Sequence, residues 1–199
     1  MTPERGDLVA GFGDVTGGLF LKNLQSKMKQ SKEGPLLFKN KPLISEESLN
    51  LPRLRALPAN TFGKQYASFM DHHGFSANER SKVRFMTNPD EAYTMTRYRQ
   101  VHDFWHVLAG VPPSVLGEVA LKCFEFRVTG LPVCFMGGLL GQLRLSGTDL
   151  HTFHTKYLPW ALRAGGECGE LMSYPYEENL DRDIDEVRKE LRFKPAPQQ

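Results

Sequence analysis

The run Gly110, Val111, Pro112, Pro113 separates two long helical patterns, and this break constrains the chain more than any other feature. Proline has no amide hydrogen and fixes φ, so a helix that reaches this run must stop and a second must start beyond it. Before the break, Asn88, Pro89, Asp90 and Glu91 form a start signal, with an Asn cap, Pro at the first helical position and a carboxylate three residues after the cap. The pattern predicts a helix from there to Ala109, with Tyr98, Val101, Trp105 and Leu108 on its apolar stripe. After the break, Ser114 to Thr129 reads as the partner helix, with Val115, Val119, Cys123 and Phe126 at core spacing.

That pair of helices carries a concentration of metal-capable groups. Side chains advance about 100° per residue on a helix, so His102, Asp103 and His106 fall within roughly a 100° arc of the first helix. Glu118 returns from the second as a fourth group. Two imidazoles and two carboxylates make a mixed nitrogen and oxygen set suited to a divalent ion lodged between two adjacent helices. A chance pair of His residues one turn apart, capping or facing water, is the bland alternative. The interposed Asp103, the helix break and the returning Glu118 weigh against it.

Several chemistries share such residues. The spacing resembles the His-Glu-x-x-His of zinc hydrolases, but Asp103 is one methylene shorter than the Glu that serves there as base. A di-iron bundle needs two carboxylate-x-x-His units, and only Asp103 with His106 supplies one. A mononuclear site remains, with zinc the first choice and iron, manganese or magnesium as alternatives. Four ligands saturate a tetrahedral ion and make it structural, whereas higher coordination leaves room for substrate. Arg97 and Arg99 could hook an anionic head group, or neutralise Asp103 and face water; the second is favoured. His151 and His154 lack an acidic companion and read as surface or cap residues, while Tyr174, Tyr176 and Glu177 either close a pocket or pack the tail.

The whole chain bounds these readings. Its 199 residues make one domain, 1–199, and 25 Lys and Arg against 23 Asp and Glu give no basic field for nucleic acid. Cys123, Cys134 and Cys168 are odd in number and lack paired spacing, which points away from a disulfide framework and toward a reducing compartment. No apolar run is long enough to span a membrane. The glycine-rich stretch Leu131 to Leu145 either lines a lipid pocket or touches a membrane surface, or else packs closely in the core. No secretory or transit pattern opens the chain, so a targeting segment is not expected within it.

Two short helices are expected over Leu8 to Lys29, with Thr16 as a cap and Gly17 and Gly18 at a break. Prolines 35, 42, 52 and 58 suggest an extended connector over 35–58 that wraps the surface as an arm. Further helices are expected over Thr61 to His73, Thr148 to Arg163 with a kink at Pro159, and Glu177 to Arg192. Strand signals are weak and no repeat is present. The expected fold is an all-α, single-domain helical bundle.

The segment Arg97, Tyr98, Arg99, Gln100, Val101, His102, Asp103, continuing through Leu116, Gly117, Glu118 to Thr129, Gly130, Leu131, Pro132, closely resembles the coenzyme Q biosynthesis protein 4 family. Its signature of His, Asp, two residues, His, eleven residues, Glu is met at His102, Asp103, His106 and Glu118, and Asp14, Val15, Thr16, Gly17 look like the family's early helix break. The resemblance implies a mitochondrial protein, peripheral on the matrix side of the inner membrane, within a multi-subunit ubiquinone-making complex of other biosynthesis proteins. It also implies C1-decarboxylation of a polyprenylated 4-hydroxy-3-methoxybenzoate, with zinc on the four signature residues. A lipid-binding scaffold that presents prenylated precursors to partner enzymes is the non-catalytic alternative. Homo-oligomers are compatible with either.

Overall fold

The computed structural model describes residues 11, 18–80, 82–84 and 86–198. Thr16 and Gly17 lie outside them. Eleven α-helices run in order among the described segments: α1 Gly18–Gln30, α2 Gly34–Asn40, α3 Glu46–Leu49, α4 Leu51–Arg55, α5 Phe62–His73, α6 Pro89–Ala109, α7 Val115–Thr129, α8 Pro132–Gly141, α9 Gly147–Thr152, α10 Leu158–Glu167 and α11 Ile184–Glu190. No strand is present among the described residues; the one β contact is an isolated antiparallel bridge between Thr61 and Asp183. The chain is a single helical domain.

Helix α6 is the axis of the bundle. Its Asn88 cap accepts from the Asp90 and Glu91 amides at 2.9 and 3.2 Å, and Gly110 ends it in the left-handed region at φ +67°. Every residue from Val101 to Ala109 is buried, so the helix has no solvent face over its last two turns. Helices α1 and α5 pack on α6, α8 and α10 pack on α7, and α11 reaches α5. Phe104 fits among Phe62, Tyr66 and Tyr176, with the Tyr176 ring stacked at 5.0 Å. Trp105 packs on Phe124 and donates its indole N–H to the Tyr176 hydroxyl at 2.9 Å.

Three expectations are corrected. Segment 35–58 is not an extended arm but the three short helices α2, α3 and α4. Pro35 and Pro52 occupy first-turn positions of α2 and α4, where a missing amide costs nothing, so these prolines punctuate helices instead of preventing them. The C-terminal helix begins at Ile184, not Glu177. Residues 180–184 are held against the start of α5, with Phe62 N donating to Arg182 O at 2.8 Å and Gly63 N to Leu180 O at 2.7 Å, so their backbone is already committed. The Asp183 side chain then caps α11 through the Asp185 amide. On α7, Val115 and Phe126 are exposed, Val119 is buried and Cys123 half-buried as expected, and the buried face also takes in Leu116, Gly117, Ala120, Leu121, Phe124, Glu125 and Thr129. This helix is apolar on most sides, so spacing alone does not fix its phase.

At Pro159, where the sequence predicts a kink, the helix changes its turn. Helices α9 and α10 are joined through a π turn over Phe153–Tyr157, whose wider ladder makes room for a proline that cannot donate to the turn before it.

Candidate metal centre

The break after Ala109 turns the chain back so that the first turn of α7 faces the end of α6. The Ser114 hydroxyl caps α7 through the Gly117 amide at 3.1 Å, and a Cβ on Gly117 would overlap the Pro112 carbonyl oxygen. Glycine at 117 therefore permits the tight turn that places Glu118. Glu118 lies in the first turn of α7, where the unpaired amides favour a carboxylate.

His102, His106 and Glu118 converge, with one ligand atom from each lying within 4.8 Å of the others. His106 Nδ1 donates to the Val111 carbonyl at 3.0 Å, and its ring stacks on Phe69 at 5.4 Å. A carbonyl can only accept, so the Nδ1 hydrogen is fixed and the neutral ring turns its Nε2 lone pair toward Glu118 Oε1, 3.2 Å away. His102 Nδ1 donates to Glu125 Oε1, leaving Nε2 at 3.7 Å from Glu118 Oε2. Two nitrogen lone pairs and a carboxylate thus face one another with no donor between them, an arrangement that a cation or a proton must complete. A divalent ion fits this donor set.

Burial tunes these groups toward ligation. It lowers the His102 pKa, with the nearby Lys122 ammonium adding to the effect, and so favours the neutral imidazole. Burial alone would raise Glu118; where a proton and not an ion fills the seat, a charged His106 donates to it, and that hydrogen bond with the charges of His102, His106 and Lys122 brings the carboxyl down to about 2. The Glu118 side chain is 24% exposed and that of His106 only 1%, so the seat opens to solvent on the Glu118 side.

Asp103 stands apart from this triad. It is buried on α6, and its two oxygens are engaged by the Arg80 guanidinium in a forked pair, Nε donating to Oδ2 at 3.1 Å and Nη2 to Oδ1. Arg97 is fully buried and bonds Glu177 and the Tyr174 carbonyl, so it ties the tail to α6 and does not hook a ligand at the site. His151 and His154 are exposed. Phe104 and Trp105 are fully buried in the core.

Residues not foreseen at the site complete the surroundings: Arg80, and behind His102 the buried Glu125, Tyr98 and Cys134 with the half-buried Lys122. The glycines of α8 serve close packing. A Cβ on Gly138 would come within 2.8 Å of Cys123 Sγ and one on Gly141 within 2.5 Å of Val119 Cγ2, so α8 lies tight on α7. The other side of this segment exposes Phe135, Leu139, Leu140 and Leu143.

A family model described as coenzyme Q (ubiquinone) biosynthesis protein Coq4 matches residues 1–197. The chain belongs to this family. It is 42% identical over 191 residues to the mitochondrial ubiquinone biosynthesis protein COQ4 homolog of Aedes aegypti, covering 96% of this chain and 70% of that one. Against the mitochondrial coq4 protein of Schizosaccharomyces japonicus it is 40% identical over 196 residues, 98% of this chain and 82% of the relative. A crystal structure from Nostoc punctiforme, described as a candidate ubiquinone biosynthesis protein, superposes with a TM-score of 0.77 at 25% identity, covering 95% of this chain and 89% of that one.

Proposed function

We propose that this family member acts in ubiquinone biosynthesis as a metal-dependent carboxy-lyase, removing the C1 carboxylate of a polyprenylated 4-hydroxy-3-methoxybenzoate. The observation that carries the reading is the convergence of His102 Nε2, His106 Nε2 and Glu118 on one partly open seat. Zinc is the first choice for that seat, ahead of iron, manganese and magnesium. Asp103 would join as a fourth ligand only by releasing an oxygen from Arg80.

A bound divalent ion supplies positive charge that polarises substrate oxygens and stabilises the charge developing as the carboxylate leaves. The chain fixes the setting for it. Val111 O and Phe69 hold His106, Glu125 holds His102, and the opening at Glu118 admits the substrate. Two neutral imidazoles and one carboxylate bring a single negative charge, and Arg80 offsets Asp103, so a divalent ion there keeps a net positive charge suited to a benzoate. In the reaction a proton adds at carbon 1, the bond to the carboxylate carbon breaks, and its electron pair restores the ring as carbon dioxide departs.

Peripheral attachment to the matrix side of the mitochondrial inner membrane, beside other pathway proteins, belongs to the same proposal. It is supported by the mitochondrial relatives and by the exposed apolar side chains of Phe135, Leu139, Leu140 and Leu143. No helix among the described residues is long and apolar enough to cross a membrane. A prenyl tail buries about 0.8 kcal/mol per CH₂, so it should dominate affinity over the head group.

The test offers carboxyl-labelled acid, prenylated or not, to the metal-loaded protein with partner subunits. Labelled carbon dioxide from the prenylated acid alone is the expected result. Lipid bound without release would instead support a scaffold that presents precursors to partner enzymes, and neither binding nor release would sink both.

A further inference from the structure

Behind His102, on the side away from Glu118, lies a carboxylate that the metal seat does not use. Glu125 is fully buried on α7, seven residues after Glu118 and therefore on the same face two turns later. The two carboxylates bracket one imidazole: Glu118 faces Nε2 and Glu125 faces Nδ1.

The oxygens of Glu125 are unequally shared. Oε2 accepts from the Tyr98 hydroxyl at 2.6 Å and from Lys122 Nζ at 2.6 Å, with Cys134 Sγ at 3.7 Å. Oε1 is left to His102 Nδ1, whose only other polar neighbour among the described residues, Lys122 Nζ, stands farther off at 3.4 Å. Lys122 reaches this place because Gly137 of α8 gives it room; a Cβ there would stand 3.2 Å from Lys122 Cγ. Groups from α6, α7 and α8 thus hold one carboxylate so that a single oxygen meets a single ring nitrogen. A carboxylate serving only as counter-ion for Lys122 would have no need of that last contact.

We infer that Glu125 is a positioning residue for the proposed metal seat: it keeps the His102 hydrogen on Nδ1 and the ring aimed so that the Nε2 lone pair faces the ion. Lys122 and Tyr98 keep Glu125 in place. This rests on the metal reading above, since without an ion there is nothing for Nε2 to bind. A ligating imidazole whose other nitrogen is held by a carboxylate is both oriented and made more basic, and losing such a partner costs about 10–100-fold in metal affinity.

The test is Glu125→Gln. Its amide either accepts the Nδ1 hydrogen without charge or turns its NH₂ toward Nδ1 and drives the hydrogen to Nε2, into the seat. The expected results are a Zn²⁺ Kd raised about 10–100-fold by chelator competition, with helical circular dichroism retained, and loss of the pure Nδ1–H tautomer of His102 in the nitrogen NMR spectrum of the metal-free protein. Because Glu125→Gln strands the Lys122 ammonium, the double variant Glu125→Gln/Lys122→Met, which removes both charges, gives the same reading if the single one does not fold. Tyr176→Phe, which loses a buried hydrogen bond elsewhere on α6, should leave Kd unchanged. A wild-type Kd and tautomer in whichever Glu125 variant folds would overturn the inference and leave the metal seat standing. Failure of the wild-type protein to bind Zn²⁺ would overturn both.

Discussion

Asp103 and Glu118 are both carboxylates of one short signature, yet they meet different partners. Glu118 faces two imidazoles, whereas Asp103 is forked onto Arg80, which arrives from the segment after the short turn at Ala77–Glu79. Asp103→Asn removes the charge that matches Arg80. Breaking a fully buried pair costs about 3–5 kcal/mol, but the Arg80 side chain is 34% exposed. A loss of about 1–3 kcal/mol is expected after discounting for that exposure, read from urea unfolding, with metal content largely kept. Metal lost without any change in stability would place Asp103 on the ion instead. The triad itself was legible in the sequence, because a helix period and a proline break are local signals that bring 102, 106 and 118 together. Arg80 was not, since its pairing crosses elements far apart in sequence. Glu125 was hidden by reading Val119, Cys123 and Phe126 as the inner stripe; its signal was the seven-residue interval from Glu118.

At the scale of elements, the tightest demand falls on the link between α6 and α7. Gly117 has no room for a side chain against the Pro112 carbonyl, and backbone cannot swing aside as a flexible side chain can. Gly117→Ala should therefore displace the first turn of α7 with Glu118 on it. Expected are a destabilisation of about 1–3 kcal/mol and a weakened Zn²⁺ affinity, checked by urea unfolding and chelator competition; an unshifted midpoint would show that the turn yields. Helix α6, with caps at both ends, was readable from sequence almost to the residue. The short helices between 34 and 55 were not, because proline marks both a helix start and an extended chain, and only tertiary packing of Leu37, Leu49, Leu51 and Leu54 decides between them. The late start of α11 has a similar cause: its first predicted turns are taken up by α5.

Over the whole molecule, thiols and phenols in and beside the core are kept neutral. Burial pushes the Cys134 thiol up to about 12 and those of Cys123 and Cys168 to about 11, while Tyr93 and Tyr174 rise to about 12 and Tyr66, Tyr98 and Tyr176 also rise. Each of these groups holds its proton in the folded state at a pH where the unfolded chain releases it. Unfolding thus becomes easier as protons are withdrawn, so their contribution is fully present below about pH 9 and is lost as pH rises toward 12. The urea midpoint should fall across that window, and Cys134 should resist thiol reagents until the protein unfolds. A midpoint that holds through pH 11 would contradict this. The all-helical class and single domain were open to sequence reasoning because helix periods recur along the chain. How the helices assemble around a polar centre was not, because that centre is defined by contacts between elements. The most direct measurement is metal stoichiometry and affinity for the purified protein beside His106→Ala. One divalent ion per chain in the wild type, with affinity lost and helical content retained in His106→Ala, is the expected result; equal metal occupancy in both would contradict the assignment of the seat between α6 and α7.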